Sequence, residues 1–121
     1  MINTMEILEI KKKEEVLNEF TGTYDMKFFK TLSEPVRIKI LEYLMLNGRS
    51  DIQSIAGNMP QDRSVISRHL NQMQEVGILR CNKETRHMYY EIDGKVFIDK
   101  LETFLNLIKQ SVSICCPDCC T

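Results

Sequence analysis

Between residues 62 and 91 the hydrophobic period changes from that of a helix to that of strands. The segment opens D-R-S-V-I-S-R-H-L-N-Q-M-Q-E-V-G-I-L. Val65, Ile66, Leu70 and Met73 recur at helical spacing and form one apolar stripe. Asp62 suits an N-cap, where a carboxylate can accept free N–H groups of the first turn. Gly77 suits the residue just past the helix end. Residues 78–82 and 87–92 then read as two strands around a turn at Lys83–Arg86. Arg63, Ser64, Ser67, Arg68 and Asn71 fall mostly opposite the stripe. A short helix with a basic, hydroxyl-rich front, followed by a basic-tipped hairpin, has the layout of a winged helix-turn-helix. In that layout the helix enters the major groove and the hairpin rides on the adjacent backbone.

The flanking sequence supplies the rest of such a domain. Residues 5–20 have an amphipathic helical pattern, with Ile7, Leu8, Ile10, Val16, Leu17 and Phe20 on the apolar side and a break at Thr21–Gly22–Thr23. Residues 25–32 read as a second short helix. Ser33 or Glu34 can cap the next one, with Pro35 where a missing N–H costs nothing. Ile38, Ile40, Leu41, Leu44 and Leu46 make that helix the expected core centre, and Asn47–Gly48 ends it. Residues 51–58 form a short helix with Ile52, Ile55 and Ala56 inward, and Asn58–Gln61 turn into the recognition helix. Residues 96–113 close the fold, with Phe97, Leu101, Phe104, Leu105, Ile108 and Val112 in a stripe too apolar for a solvated helix. Paired with residues 1–20, this last helix would make a helical dimer interface. The expected fold is therefore mainly α with a small β-hairpin. It is a single winged-helix domain over 1–121, with a core at 25–95, a closing helix at 96–113 and a tail at 114–121. At 121 residues there is room for little else.

Charge and hydropathy narrow the function classes. No apolar run approaches a membrane span, and Glu6 and Glu9 stand where a signal sequence would be basic. A cytoplasmic protein without a membrane partner is expected. The net charge of −1 does not announce nucleic acid, but its distribution does. Residues 62–87 hold five Arg or Lys against three acids. A local basic face on a near-neutral chain suits a regulator that must leave DNA as well as bind it.

The chain ends I-C-C-P-D-C-C-T, with cysteines at 115, 116, 119 and 120; only Cys81 lies elsewhere. Structural disulfides do not fit a cytosolic protein. Pro117 and Asp118 turn the chain so that the two cysteine pairs can face each other. The C-x-x-C spacing of Cys116 and Cys119 lets two thiolates reach one soft ion, with Cys115 and Cys120 as third and fourth. A redox role is the other reading, since C-P-D-C has dithiol spacing, but no βαβ unit surrounds it. Cys81 reads as a small buried hydrophobe. His69 can either touch DNA or pack at the flank of its helix, and His87 reads as an ordinary strand histidine.

L-S-E-P-V-R-I-K-I-L (32–41), S-V-I-S-R-H-L (64–70), E-V-G-I-L (75–79) and M-Y-Y-E-I (88–92) occur in the order and spacing of a known family. Over roughly residues 25–95 the chain resembles the ArsR/SmtB family of bacterial winged-helix repressors. The resemblance implies a homodimer that binds double-stranded operator DNA and is released by metal ions, metalloids or thiol chemistry. It places Arg63, Ser64, Ser67, Arg68 and His69 on the DNA-reading helix, and Lys83 and Arg86 at the wing tip. Thr85 departs from the family's wing glycine, which makes a tight primed turn less expected. Asp51 and Gln53 stand where many members carry a Cys-x-Cys. The last helix has Asp93, Asp99 and Glu102 nearby but no histidine for the family's zinc site. The tail remains, and members with paired C-terminal cysteines resemble arsenic sensors.

The expected function is a repressor released from its operator by arsenite or another soft metal ion, bound at Cys115, Cys116, Cys119 and Cys120. Cadmium or zinc sensing, or oxidant or persulfide sensing through a disulfide, are the alternatives on the same fold. Dithiol oxidoreductase chemistry is remote. No helix N-terminus or basic neighbour is placed to lower a thiol pKa, and no enzyme is expected.

Overall fold

The computed structural model describes the backbone of residues 2–23 and 25–120, with side chains over that span except at 20–23, 119 and 120. In chain order it contains α1 (Thr4–Thr23), α2 (Met26–Leu32), α3 (Pro35–Asn47), β1 (Ser50–Asp51), α4 (Ile52–Gly57), α5 (Arg63–Glu75), β2 (Leu79–Glu84), β3 (His87–Ile92), α6 (Gly94–Cys115) and a short 3-10 helix (Pro117–Cys120). These fall into a central unit, residues 25–98, and a terminal unit built from 1–24 and 99–121.

In the central unit two helices, α2 and α4, start with an aspartate side chain accepting a free N–H of the first turn. The Asp25 carboxylate accepts the Phe28 N–H at 3.1 Å and starts α2. Pro35 opens α3 behind Glu34, which caps through its backbone alone. Asp51 accepts the Ser54 N–H at 3.0 Å and starts α4. Hydrogen bonds with Ser54 hold the Asp51 carboxyl below its usual pKa. Asp62 occupies the N-cap of α5, but its side chain makes no capping bond. Only its carbonyl serves the helix, accepting from Val65 and Ile66 at 3.0 Å.

The C-terminus of α5 is tightly specified. Gly77 has φ 84°, its N–H donates to the Gln74 carbonyl, and the Ile78 N–H reaches back to Met73. These two bonds are a Schellman motif, and the apolar contact that normally accompanies it is supplied by the buried Met73 and Ile78.

The core is one cluster built from Phe28, Ile40, Leu41, Leu44, Ile55, Ile66, Leu70, Met73, Val76, Ile78, Leu79 and Tyr90. Phe97, in the first turn of α6, packs against it edge-on to Phe28. Val65 is half-buried, so the inward side of α5 is Ile66, Leu70 and Met73. On α3 the expected stripe is too wide. Ile38 is 42% exposed and Leu46 86% exposed, while Ile40, Leu41 and Leu44 of the same stripe are buried.

The sheet has three antiparallel strands in the order β1-β3-β2. The hairpin alone was expected; β1 is two residues long, pairing Ser50 with Tyr90 and Asp51 with Tyr89. The hairpin is tighter than expected. Glu84 pairs with His87, leaving a two-residue loop of Thr85 and Arg86 in place of a four-residue turn. Thr85 takes the left-handed φ of 54° that glycine would take without cost.

In the terminal unit, α1 begins with a reciprocal cap: the Glu6 N–H donates to the Asn3 side chain at 2.8 Å, and the Asn3 N–H to Glu6 at 3.4 Å. The helix runs through Thr21–Gly22 to Thr23 rather than breaking there. One glycine disfavours a helix by only about 1 kcal/mol. Ile7, Leu8, Ile10 and Leu17 of α1 are exposed, as are Leu101 and Leu105 of α6. Leu107 is the buried residue of α6.

The two left-handed positions carry opposite consequences for stability. Gly77→Ala is expected to cost about 1–2 kcal/mol, the price of placing a Cβ at positive φ. Thr85→Asn is expected to gain up to about 1 kcal/mol, because asparagine tolerates that conformation where a β-branched residue does not. Thermal unfolding of the two variants beside the parent checks both signs.

Candidate nucleic-acid interface

Helix α4, the turn at Asn58–Asp62 and α5 form a helix-turn-helix, and β2–β3 form the hairpin beside it. With Ile66, Leu70 and Met73 in the core, helical geometry turns Arg63, Ser64, Arg68 and Asn71 outward, and all four are exposed. Ser67 is half-buried at the edge of that face. Lys83 and Arg86 are exposed at the hairpin tip.

Ion pairs sort the charges of this region. Glu84 is held by Arg49 at 2.7 Å, Glu91 by Arg80 at 3.4 Å and Glu75 by Lys27 at 3.3 Å. Three acids of this region are thus engaged by other cations, while Asp62, beside Arg63, is exposed at the N-cap of α5. Among the described residues Arg63, Arg68, Lys83 and Arg86 have no ion-pair partner. The result is a cationic surface on a chain of near-zero net charge. Arg49 also lies over the Tyr89 ring, 4.3 Å from its centroid, and so ties the start of β1 to both strands of the hairpin. His87 is exposed at the wing, with Nδ1 4.0 Å from Asp51.

His69 does not join the outward set. It is half-buried, and its Nδ1 accepts the Arg37 Nε–H at 3.1 Å. Burial first, then the Arg37 charge, lower its pKa from the usual 6.5. Arg37 also donates to the Thr31 carbonyl at 3.1 Å and to the Gln72 side chain. The side chains that fasten this helix and the hairpin, Arg37 and Arg49 respectively, are not among the residues singled out from sequence. Their partners lie on other elements, and no local pattern marks them.

The tail is described in part. Helix α6 ends at Cys115, the Cys116 N–H still donates to Val112, and Pro117 starts the 3-10 helix. Cys115 is half-buried, Cys116 is exposed, and both are free thiols. The side chains of Cys119 and Cys120 lie outside the described residues, so the expected four-cysteine set is described only in its first half. Among the described residues no three potential ligands gather as an ion site. Cys81 is half-buried against the core, opposite Tyr90. Burial, then Cys81, push the Tyr90 phenol up to about 12.

Residues 34–80, the segment that carries α3 through the start of β2, match the model of the bacterial regulatory protein arsR family. An uncharacterized HTH-type transcriptional regulator of Methanocaldococcus jannaschii is 34% identical over 71 residues, 58% of this chain and 80% of that protein. The chain belongs to the ArsR family. A cadmium resistance transcriptional regulatory protein CadC homolog of Staphylococcus aureus is 33% identical over 69 residues, covering 57% of each chain. A solved structure described as a possible transcriptional regulator for arsenical resistance superposes with a TM-score of 0.60 at 26% identity, over 68% of this chain and 83% of that one. This ArsR-family chain is therefore a winged helix-turn-helix transcriptional regulator, of a family that binds DNA and is not enzymatic. Among the described residues no helix is long and apolar enough to cross a membrane.

The depressed His69 pKa fixes a pH dependence of the fold. The unfolded chain binds a proton near pH 6.5 and the folded chain only at lower pH, so the unfolded state holds more protons between the two values. Stability is expected to be fully present above about pH 6.5 and to decline as pH falls below it. His69→Asn, which does not titrate, should flatten that part of the curve, as read by denaturant midpoints across the range.

Proposed function

We propose that this ArsR-family regulator is a cytoplasmic homodimeric repressor that leaves its operator when a thiophilic ion, trivalent arsenic foremost, binds Cys115, Cys116, Cys119 and Cys120. The observation that carries the reading is the end of α6. Cys115, the last residue of the helix, and Cys116 are free thiols immediately before the 3-10 helix that starts at Pro117. Thiolates are soft donors suited to arsenite, cadmium and zinc. The arsenical-resistance description of one solved relative favours arsenite, and the cadmium-resistance relative keeps cadmium as the second reading.

In this account Ser64, Ser67 and Arg68 read base edges, while Arg63, Lys83 and Arg86 hold phosphates. His69 supports the helix from behind. The exposed leucines and isoleucines of α1 and α6 meet those of a second copy, which sets two recognition helices about one DNA turn, ~34 Å, apart. An ion at the end of α6 acts where the dimerising helix ends, and so biases the spacing of the two winged units. A coupling of roughly 1–3 kcal/mol is enough for a switch.

Variants at the DNA face and at the tail test this function. Arg68→Ala is expected to lose about 1–3 kcal/mol on the cognate operator. Arg86→Ala should weaken binding to every sequence and reduce the salt slope by about one phosphate contact. Unchanged operator affinity in Arg68→Ala would refute the orientation of α5. For the sensor, Cys115→Ser/Cys116→Ser is expected to repress normally and to remain on DNA when arsenite is titrated anaerobically. Ion binding to the parent should release protons and tighten as pH rises, because the ligands are thiolates. Loss of DNA by the double variant at the parent's arsenite concentration would remove these cysteines from the site.

A further inference from the structure

His69 neighbours Arg68 on α5, yet it is committed to the protein interior. Its Nδ1 accepts the Arg37 Nε–H at 3.1 Å, so that nitrogen carries no proton. The same guanidinium donates to the Thr31 carbonyl at 3.1 Å and to Gln72. One cation therefore joins the end of α2, the first turns of α3 and two positions on the recognition helix. A guanidinium has no acceptor, and an imidazolium has none either. Protonation of His69 would replace a hydrogen bond with two cations facing each other at hydrogen-bond distance.

We propose that the Arg37–His69 pair is an acid-sensitive catch that positions the recognition helix, so that operator DNA is released when His69 takes a proton from solvent. The proposal rests on α5 being the DNA-reading helix. The charged groups facing the ring are Arg37 from α3, Glu34 at the N-cap of α3 and Arg68 from its own helix. From α2, Lys27 is engaged with Glu75. Glu34 favours the proton, while burial, Arg37 and Arg68 oppose it. Each proton that binds is therefore taken at the expense of the catch.

The sign of the effect separates this device from ordinary electrostatics. A positive charge added beside a polyanion tightens binding as pH falls. Opening the catch loosens it. His69 is a positioning residue here, with no contact to DNA.

The experiment uses the full chain carrying His87→Gln. The chain has two histidines, so this leaves His69 as the one histidine that can titrate, and the His69→Asn control carries every other titrating group. Operator affinity is measured by fluorescence anisotropy at fixed ionic strength from about pH 7.5 to about pH 5. The expected result is a loss of roughly fivefold or more, developing below the ordinary histidine range. In His69→Asn the amide oxygen replaces Nδ1 as acceptor and does not titrate, so affinity should stay level with pH. His69→Gln serves if circular dichroism shows the asparagine variant unfolded. Arg37→Met should bind weakly at every pH with the same level profile. Affinity that is constant or rises in acid, or an equal fall in the histidine-free variant, would overturn the proposal. Arg68→Ala at the upper pH keeps the two readings apart. If it binds like the parent, α5 is not the reading helix and the catch has nothing to position.

Discussion

A single guanidinium, that of Arg37, hydrogen-bonds α5 to the end of α2 and the first turns of α3. Among the described residues Arg37 forms no ion pair; its guanidinium donates to neutral acceptors on α2 and α5. Hydrogen bonds to a charged group contribute about 1.5–3 kcal/mol each, and one lost partner leaves a half-buried cation unsatisfied. Apolar burial of Ile66, Leu70 and Met73 sets which face of α5 points inward. It does not by itself fix where along its axis the helix sits, because hydrophobic contact is non-directional. The directional bonds of Arg37 supply that constraint. The Thr31 carbonyl it engages is one of the acceptors that every helix end leaves open.

The same economy governs charge. A DNA-binding surface must be cationic where it meets phosphates, yet a strongly basic protein binds nucleic acid everywhere. Here Glu75, Glu84 and Glu91 are each engaged by a cation that fastens one element to another. Such exposed pairs contribute little stability, typically ~0–1 kcal/mol. Their larger effect is to leave Arg63, Arg68, Lys83 and Arg86 uncompensated on the outer face. In the proposed account, modest affinity from few phosphate contacts would let a small coupling energy at the tail release the protein.

What could be read from sequence follows from the range of the interactions involved. The stripe of α5, the stop at Gly77 and the start at Pro35 are set by residues within one or two turns, and the structure keeps them. The outward placement of Arg63, Ser64 and Arg68 came with the stripe. Three features escaped because their causes are tertiary. Strand β1 is two residues long and exists only because β3 has an open edge. Ile38 and Leu46 share α3's apolar pattern but lie beyond its packed side. Arg37 is separated from His69 and Gln72 by 32 and 35 residues. Thr85 escaped for a different reason. A turn position that prefers glycine was occupied by threonine, and the pairing of Glu84 with His87 imposed the tight loop regardless. The cysteine tail was legible only as donor type and spacing; α6 runs two residues past its expected end at Ser113 and takes Cys115 into its last turn.

The most direct measurement is operator release by a chain truncated after Ser113, which removes all four tail cysteines and keeps the winged unit and most of α6. Its anisotropy on labelled operator DNA should match the intact chain in the absence of arsenite and should not fall when arsenite is added. Release at the concentration that frees the intact chain would contradict the account and move the sensor away from the tail.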